Sequence, residues 1–385
     1  MHLDSFSLYT LLPACSFRYP YVSCEIFCCE IQEILHTLVE NDDSKLLKKL
    51  FSLLDLDVPI NTYLGGYFEK ILDMLFRRMT VSVIPFVNDG GVVLLRRLLG
   101  KIDNYSIMQI IQRLMLPHIP FLMPNDADEG MVDERQSYLC SWSSIPEAYE
   151  LLLERMLCQQ TGEVPSHVSD LLITVLQLSP PDASILYRLC SVSCLEKLLA
   201  AAFAENADHE DVVSLPSASA SVSLAALSVL ESLVSRICEA AIPSGSEEGG
   251  LADDSSGILA DETDGQVMVQ IQKSIANICD ALMPCLPAFR NQLAHFVDPL
   301  RRPCGQVATQ TKSLLPRLSH RGLLMVKVVE SLIRLSNADI DRQLLDSGVV
   351  VASLDLIFTF RFNSLLHLTV QKIVIIVIEG GAARR

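Results

Sequence analysis

Apolar residues recur at three- and four-residue spacing along almost the whole chain, and this periodicity leaves few folds open. Over 24–40 the stripe is Ile26, Phe27, Ile31, Ile34, Leu35, Leu38 and Val39. Residues 41–44 (Asn-Asp-Asp-Ser) break it and offer caps to a second stripe, Leu46, Leu47, Leu50, Phe51, Leu53 and Leu54, which Pro59 ends. A third, over 61–78, carries Tyr63, Leu64, Tyr67, Phe68, Ile71, Leu72 and Leu75. Gly90 and Gly91 precede another at 92–99, and the stripe over 105–116 stops at Pro117. The same pattern predicts helices over 146–160, 167–178, 184–204, 219–242, 266–282, 287–297, 322–335, 338–345, 350–358 and 363–379. Ser143 or Ser144 is placed to cap the first of these, with Pro146 in its opening turn where a missing N–H costs nothing.

Strand signals are weak. Val81 to Ile84 and Ile373 to Ile378 are β-branched runs, but no alternating ladder with hairpin turns accompanies them. Units of this length with short breakers are how stacked helix pairs read. No fixed-length repeat stands out in the sequence, as in degenerate helical arrays. The expected fold is all-α, an armadillo- or HEAT-like α-solenoid of stacked helices with disordered acidic loops; a compact helical bundle is the alternative.

Three segments interrupt the helices, at 117–142, 243–265 and 298–319. The second is rich in Gly, Ser, Asp and Glu and lacks aromatics, so it has too little apolar surface to offset the entropy of ordering. The third carries Arg301, Arg302, Lys312 and Arg317 among prolines, a basic loop in an acidic protein. The expected organisation is an N-terminal segment 1–17, a helical repeat domain 18–380 and a tail 381–385.

Composition narrows the function. Half of the 385 residues are hydrophobic and 20% are charged, which suits helices buried on several sides. No aliphatic run approaches the ~20 residues of a membrane span, the longest near the end being Ile373 to Ile378, so membrane insertion is not expected. Residues 1–17 are apolar but lack a basic residue before the hydrophobic stretch, a poor secretory signal. The 12 cysteines lie in apolar runs instead of a short loop-rich framework. Cys24, Cys28 and Cys29 share one predicted helix, as do Cys190 and Cys194. Reduced cysteine behaves there as a small hydrophobe, and a cytoplasmic or nuclear location is expected. A net charge of −16 disfavours nucleic acid, whose phosphates it repels, and suits a partner with a basic surface.

Catalytic motifs do not appear. The sequence has no Gly-x-x-x-x-Gly-Lys loop, no His-Glu-x-x-His helix and no Gly-x-Ser-x-Gly elbow. The eight histidines are dispersed and none pairs with cysteine at zinc-ligand spacing. Residues 125–130 hint at a calcium loop, but Ala127 stands where a ligand oxygen is needed and Gln136 where a bidentate Glu belongs. Cys24, Cys28 and Cys29 lack complementary ligands and read as a packed helix face. No metal and no cofactor is expected, and the chain is read as a non-enzyme. An enzyme with a site assembled from distant residues is the competing reading, to be revived by turnover from the isolated chain.

Several separated blocks are similar to one family. Tyr19 to Ile26, Tyr-Pro-Tyr-Val-Ser-Cys-Glu-Ile, is close to a family signature Tyr-Pro-Tyr-Ile-Ala-Cys-Glu-Ile. Leu50 to Asp55, Pro59 to Lys70 and Ser106 to Leu114 follow, and Lys327 to Glu330 and Phe362 to His367 come near the end, in the family's order. Phe362 stands where the family has Trp, and Ser364 replaces its second Asn. These blocks resemble the SAPS-domain family, regulatory subunits of type-six-like (Sit4-type) serine/threonine protein phosphatases.

The resemblance implies a non-catalytic regulatory or scaffolding subunit that binds the phosphatase catalytic subunit and directs it to substrates, with an ankyrin-repeat protein as a third subunit. Lys327-Val-Val-Glu330 begins like a short basic-Val-x-Phe docking peptide but ends in Glu within a predicted helix, so docking is expected through a folded surface. Within the matching blocks the candidate partner-binding residues are Tyr19, Tyr21, Glu25, Asn61, Tyr67, Asn363 and His367. Each has a plainer reading. Tyr19 and Tyr21 pack a turn around Pro20. Glu25 favours the positive end of a helix. Asn61 and Asn363 cap helices, and His367 is a satisfied core histidine. The alternative function is a generic α-solenoid adaptor in trafficking or transport.

Overall fold

The computed structural model describes residues 13–40, 44–116, 140–158, 163–180, 184–204, 218–241, 260–298, 306–308 and 314–379. The candidate calcium loop, the first twelve residues of the expected N-terminal segment and the tail 381–385 fall outside them, while the expected boundary at 17–18 lies within the helix Pro13–Cys28. The described residues are almost entirely helical and divide into two compact units, 1–155 and 156–385.

Unit one holds α1 (Pro13–Cys28), α2 (Gln32–Glu40), α3 (Lys45–Phe51), α4 (Thr62–Arg78), α5 (Thr80–Leu99), α6 (Tyr105–Met115) and most of α7 (Pro146–Leu157). The expected helix over 24–40 is two helices. Glu30 has φ 56°, a left-handed conformation that ends α1 and turns the chain into α2. The turn expected around Pro20 is instead helical, with Pro20 inside α1. Ser44 also has positive φ and its side chain caps nothing, contrary to expectation. The β-branched residues 81–84 are the opening of α5, where Val83 and Ile84 are buried with Val87, four and three residues on. Gly91, at φ 46° and ψ −138°, breaks α5 in two; only glycine enters that region cheaply, so the helix expected over 92–99 is its second half.

In this unit α1, α4 and α6 lie side by side and parallel. Cys24 Sγ donates to the Tyr67 carbonyl oxygen (3.8 Å), Glu25 pairs with Lys70 (2.7 Å), and Glu30 accepts from Arg78 Nε (2.7 Å), with partners 43, 45 and 48 residues apart. One step on, Asp73 and Glu69 receive Arg113 from 40 and 44 residues away. Numbers rise together on α1 and α4, and on α4 and α6 from Gly65 against Asn104 to Asp73 against Arg113, which requires parallel axes; the recurring interval is that of armadillo and HEAT units. The interval hides in the sequence because different residue types fill equivalent positions. Gly65 permits the closeness of α4 and α6: a Cβ there would stand 2.5 Å from Asn104 Nδ2.

Unit two contains α8 (Val164–Leu178), α9 (Ser184–Leu189), α10 (Val192–Ala202), α11 (Ala218–Ala240), α12 (Ala260–Leu282), α13 (Leu286–Val297), α14 (His320–Arg334), α15 (Ala338–Ser347), α16 (Val349–Thr359) and α17 (Ser364–Glu379). The helix expected over 184–204 breaks at Cys190, so Cys190 and Cys194 lie on either side of a turn that Ser191 caps through the Cys194 amide. α12 begins at Ala260, inside the segment expected to be an open linker. The basic loop holds a two-stranded antiparallel ribbon, β1 (Gln306–Ala308) against β2 (Leu314–Pro316), with Val307 opposite Leu315.

α11 is the centre of this unit, packed by α8, α10 and α14. Among the described helices it is the one whose length and hydropathy match a membrane span, but 67% of its apolar window is buried inside the unit. Its apolar character is that of a core helix surrounded by neighbours.

Both units share a device for joining successive layers. The final carbonyls of a helix have no intrahelical donor. Arg97 Nη2 donates to the Phe51 oxygen at the end of α3 (3.0 Å), and Arg155 Nε to the Leu99 oxygen at the end of α5 (3.1 Å). In unit two Arg236 reaches the Leu176 and Ser179 oxygens (3.2 and 2.8 Å), and Arg321 the Ala202 oxygen (2.6 Å). Each guanidinium supplies donors and positive charge at the negative end of a helix dipole.

Candidate partner-docking face

The parallel row of α1, α4 and α6 gathers five of the seven residues singled out from the sequence. Tyr21 on α1 meets Tyr67 on α4 with ring centroids 6.1 Å apart, so these tyrosines pack across a helix–helix seam, not around a proline turn. Tyr19 stands 67% exposed one residue before Pro20. Glu25 lies in the last turn of α1, where the dipole is unfavourable for an acid, contrary to the expectation that it sat at a helix start. Lys70 compensates: the Glu25 carboxylate accepts from Nζ at 2.7 Å, and this hydrogen bond raises the Lys70 pKa.

Asn61 is the N-cap of α4, its Oδ1 accepting from the Tyr63 amide at 2.9 Å. Asn104 repeats the device on α6 through the Ser106 amide (3.0 Å) and also donates to the Ile60 carbonyl (3.2 Å). The two caps bring the starts of α4 and α6 to the same edge of the row. Beside them stand two exposed tyrosines that the sequence reading did not select, Tyr63 and Tyr105, the latter accepting from Gln109 Nε2 (2.9 Å). Their signal was present: each follows a capping asparagine, in Asn61-Thr-Tyr63 and Asn104-Tyr105.

Asn363 and His367 are not part of this row; both lie in unit two. Asn363 Oδ1 accepts from the Leu366 amide (3.0 Å) at the start of α17, and His367 Nε2 is 3.2 Å from the Phe360 carbonyl oxygen. Both side chains thus serve the entry into α17. Lys327-Val-Val-Glu330 is internal to α14, with Val328, Val329 and Glu330 buried. It cannot be offered as an extended peptide.

Several of the described thiols are held protonated by burial. Burial pushes Cys24 up to about 11, with Cys28 adding to the effect. Burial likewise pushes Cys140, Cys190 and Cys238 up to about 12. Thiols in that range stay protonated at neutral pH and are poor nucleophiles. Among the described residues no group of three or more His, Cys, Asp or Glu is placed to hold a metal ion. What the row offers is recognition chemistry: amphipathic rings and balanced charge pairs on rigid helices.

No protein-family model matches the chain. Curated relatives do. Serine/threonine-protein phosphatase 6 regulatory subunit 3-A of Xenopus laevis is 23% identical over 92% of this chain and 37% of its own length. Regulatory subunits 1 and 2 of Mus musculus are each 24% identical over 95% of this chain, and over 40% and 36% of their own lengths. The chain therefore spans well under half the length of these relatives. Across more than nine-tenths of its length the chain is similar, at 23–24% identity, to these phosphatase 6 regulatory subunits.

Proposed function

We propose that this chain is a non-catalytic regulatory and scaffolding subunit that binds a type-six-like serine/threonine protein phosphatase catalytic subunit and directs it to substrates. The observation that carries this reading is the breadth of the similarity. Relatives named as phosphatase 6 regulatory subunits match the chain from one unit into the other. The docking surface is the row of α1, α4 and α6. Tyrosine is favoured in interface centres because a large amphipathic ring orders at low entropic cost. Here Tyr21, Tyr63, Tyr67 and Tyr105 sit on helices braced against one another by ion pairs. The contribution to catalysis is positional: tethering raises the effective concentration of substrate at the enzyme without new catalytic groups. An ankyrin-repeat subunit completes the proposed assembly, and its place of work is the cytoplasm and the nucleus.

The test is light scattering after size-exclusion chromatography of the chain mixed with a type-six-like catalytic subunit. A complex of equimolar stoichiometry is expected, and Tyr21→Ala with Tyr67→Ala weakens it by about tenfold or more. A helical, folded chain that forms no complex, or a complex indifferent to both substitutions, overturns respectively the function or the assigned face.

A further inference from the structure

The docking row leaves unexplained the outer face of the last two helices. One side of α16 is buried through Val349, Ser353 and Leu356, and one side of α17 through Leu366, Val370 and Ile373. The opposite sides are also apolar. On α16, Val351 (61% exposed) and Phe358 (73% exposed) flank Asp355 at i, i+4 and i+7. On α17, Leu365 (61% exposed), Leu368 (52% exposed) and Ile375 flank Lys372 at the same helical spacing. Residues at such intervals line one face. A helix apolar all round has neighbours on more than one side, and a contiguous exposed apolar patch marks an association surface.

The charges within the patch select the occupant. One stripe contains a single carboxylate, Asp355, and the adjacent stripe a single ammonium, Lys372. Neither has an ion-pair partner among the described residues. Such a face is complementary to itself. We propose that it pairs with the same face of a second copy of this chain, as an isologous two-fold dimer in which α16 of each copy lies antiparallel over α17 of the other. In a two-fold interface each contact occurs twice with roles exchanged, so both copies' Asp355 and Lys372 are satisfied together. The register allows it. Asp355 is four residues before the end of α16 and Lys372 eight residues after the start of α17. At a rise of ~1.5 Å per residue the crossed pair is staggered by about 6 Å, within the reach of a lysine side chain. This inference is independent of the regulatory-subunit reading.

Sedimentation velocity of the whole chain over micromolar concentrations tests it. The wild type is expected as a dimer. Asp355→Lys and Lys372→Asp each face like charges twice and self-associate at least about tenfold more weakly, since like-charge juxtaposition is strongly disfavoured. An equimolar mixture of the two variants returns to the dimer, because both crossed pairs are again opposite in sign. Phe358→Ser also gives monomer. These positions are exposed, and circular dichroism checks that helicity is unchanged. A wild-type monomer, a dimer indifferent to both reversals, or variants that do not pair with each other would each overturn the proposal; the first outcome leaves the face to a different protein.

Discussion

Asn61 illustrates how a residue in a family signature can be structural first. Its side chain closes an orphan amide of α4, a role readable from its position before an apolar run, while its place on the edge of the tyrosine row needs the neighbouring helices. Glu231 makes the reverse case. In the sequence it is one acid on a long apolar helix; in the fold, burial raises its pKa above the usual carboxylate range, with Glu330 adding to the effect and Lys327 and Arg334 opposing it. The folded state therefore binds a proton more tightly than the unfolded chain. That contribution is fully present below the unfolded pKa and is lost as pH rises through the folded one. Glu231→Gln removes the pH-dependent loss. Its melting temperature is expected to exceed the wild type's at pH 7 and to converge with it near pH 4; an equal difference at both values contradicts the assignment. Nothing in the local sequence marks Glu231, because Lys327, Glu330 and Arg334, whose charges bear on its carboxyl, lie on α14, far along the chain.

At the level of elements, the helices were legible from periodicity and the breaks between them only in part. Asn41 to Ser44, Pro59 and Pro117 announced themselves as breakers, and the caps at Asn61 and Asn363 were anticipated. Glu30 and Cys190 did not: Glu30 takes a left-handed turn and Cys190 ends one helix where Ser191 caps the next, and neither site is marked by glycine or proline. The parallel layering was also invisible locally. It rests on side chains that reach across roughly one repeat, above all the arginines at helix C-termini. Arg155→Met keeps the apolar stem but loses the hydrogen bond to the end of α5. A charged donor of this kind contributes about 1.5–3 kcal/mol. Urea denaturation followed by far-UV dichroism is expected to show a loss of that order with native helicity unchanged, whereas an unshifted midpoint removes the joining role.

On the scale of the whole molecule, 12 cysteines in an apolar chain pose a choice between a covalent framework and reduced packing. The described thiols are free, and their environments are sharply divided. Cys29 and Cys158 are exposed, while Cys24, Cys190, Cys238 and Cys279 are buried. Maleimide labelling of the native protein, read by peptide mass spectrometry, is expected to modify the first two quickly and the other four only after denaturant is added. Rapid native labelling of Cys190 or Cys238 contradicts the packing of α10 and α11.

The amino-acid sequence by itself determined the helical class, most helix positions, the capping asparagines and the blocks that resemble the SAPS family, because these depend on residue spacing along a single strand of chain. Tertiary structure alone decided that α1, α4 and α6 run parallel, that Tyr63 and Tyr105 join Tyr21 and Tyr67 at the same row, and that Asn363 and His367 belong to a different unit. It also decided that Asp355 and Lys372 each stand among exposed apolar residues of their own helix. Those relations hold between residues tens of positions apart, brought together by burial of apolar surface that is common to every helix, and so carry no local mark of which helix meets which.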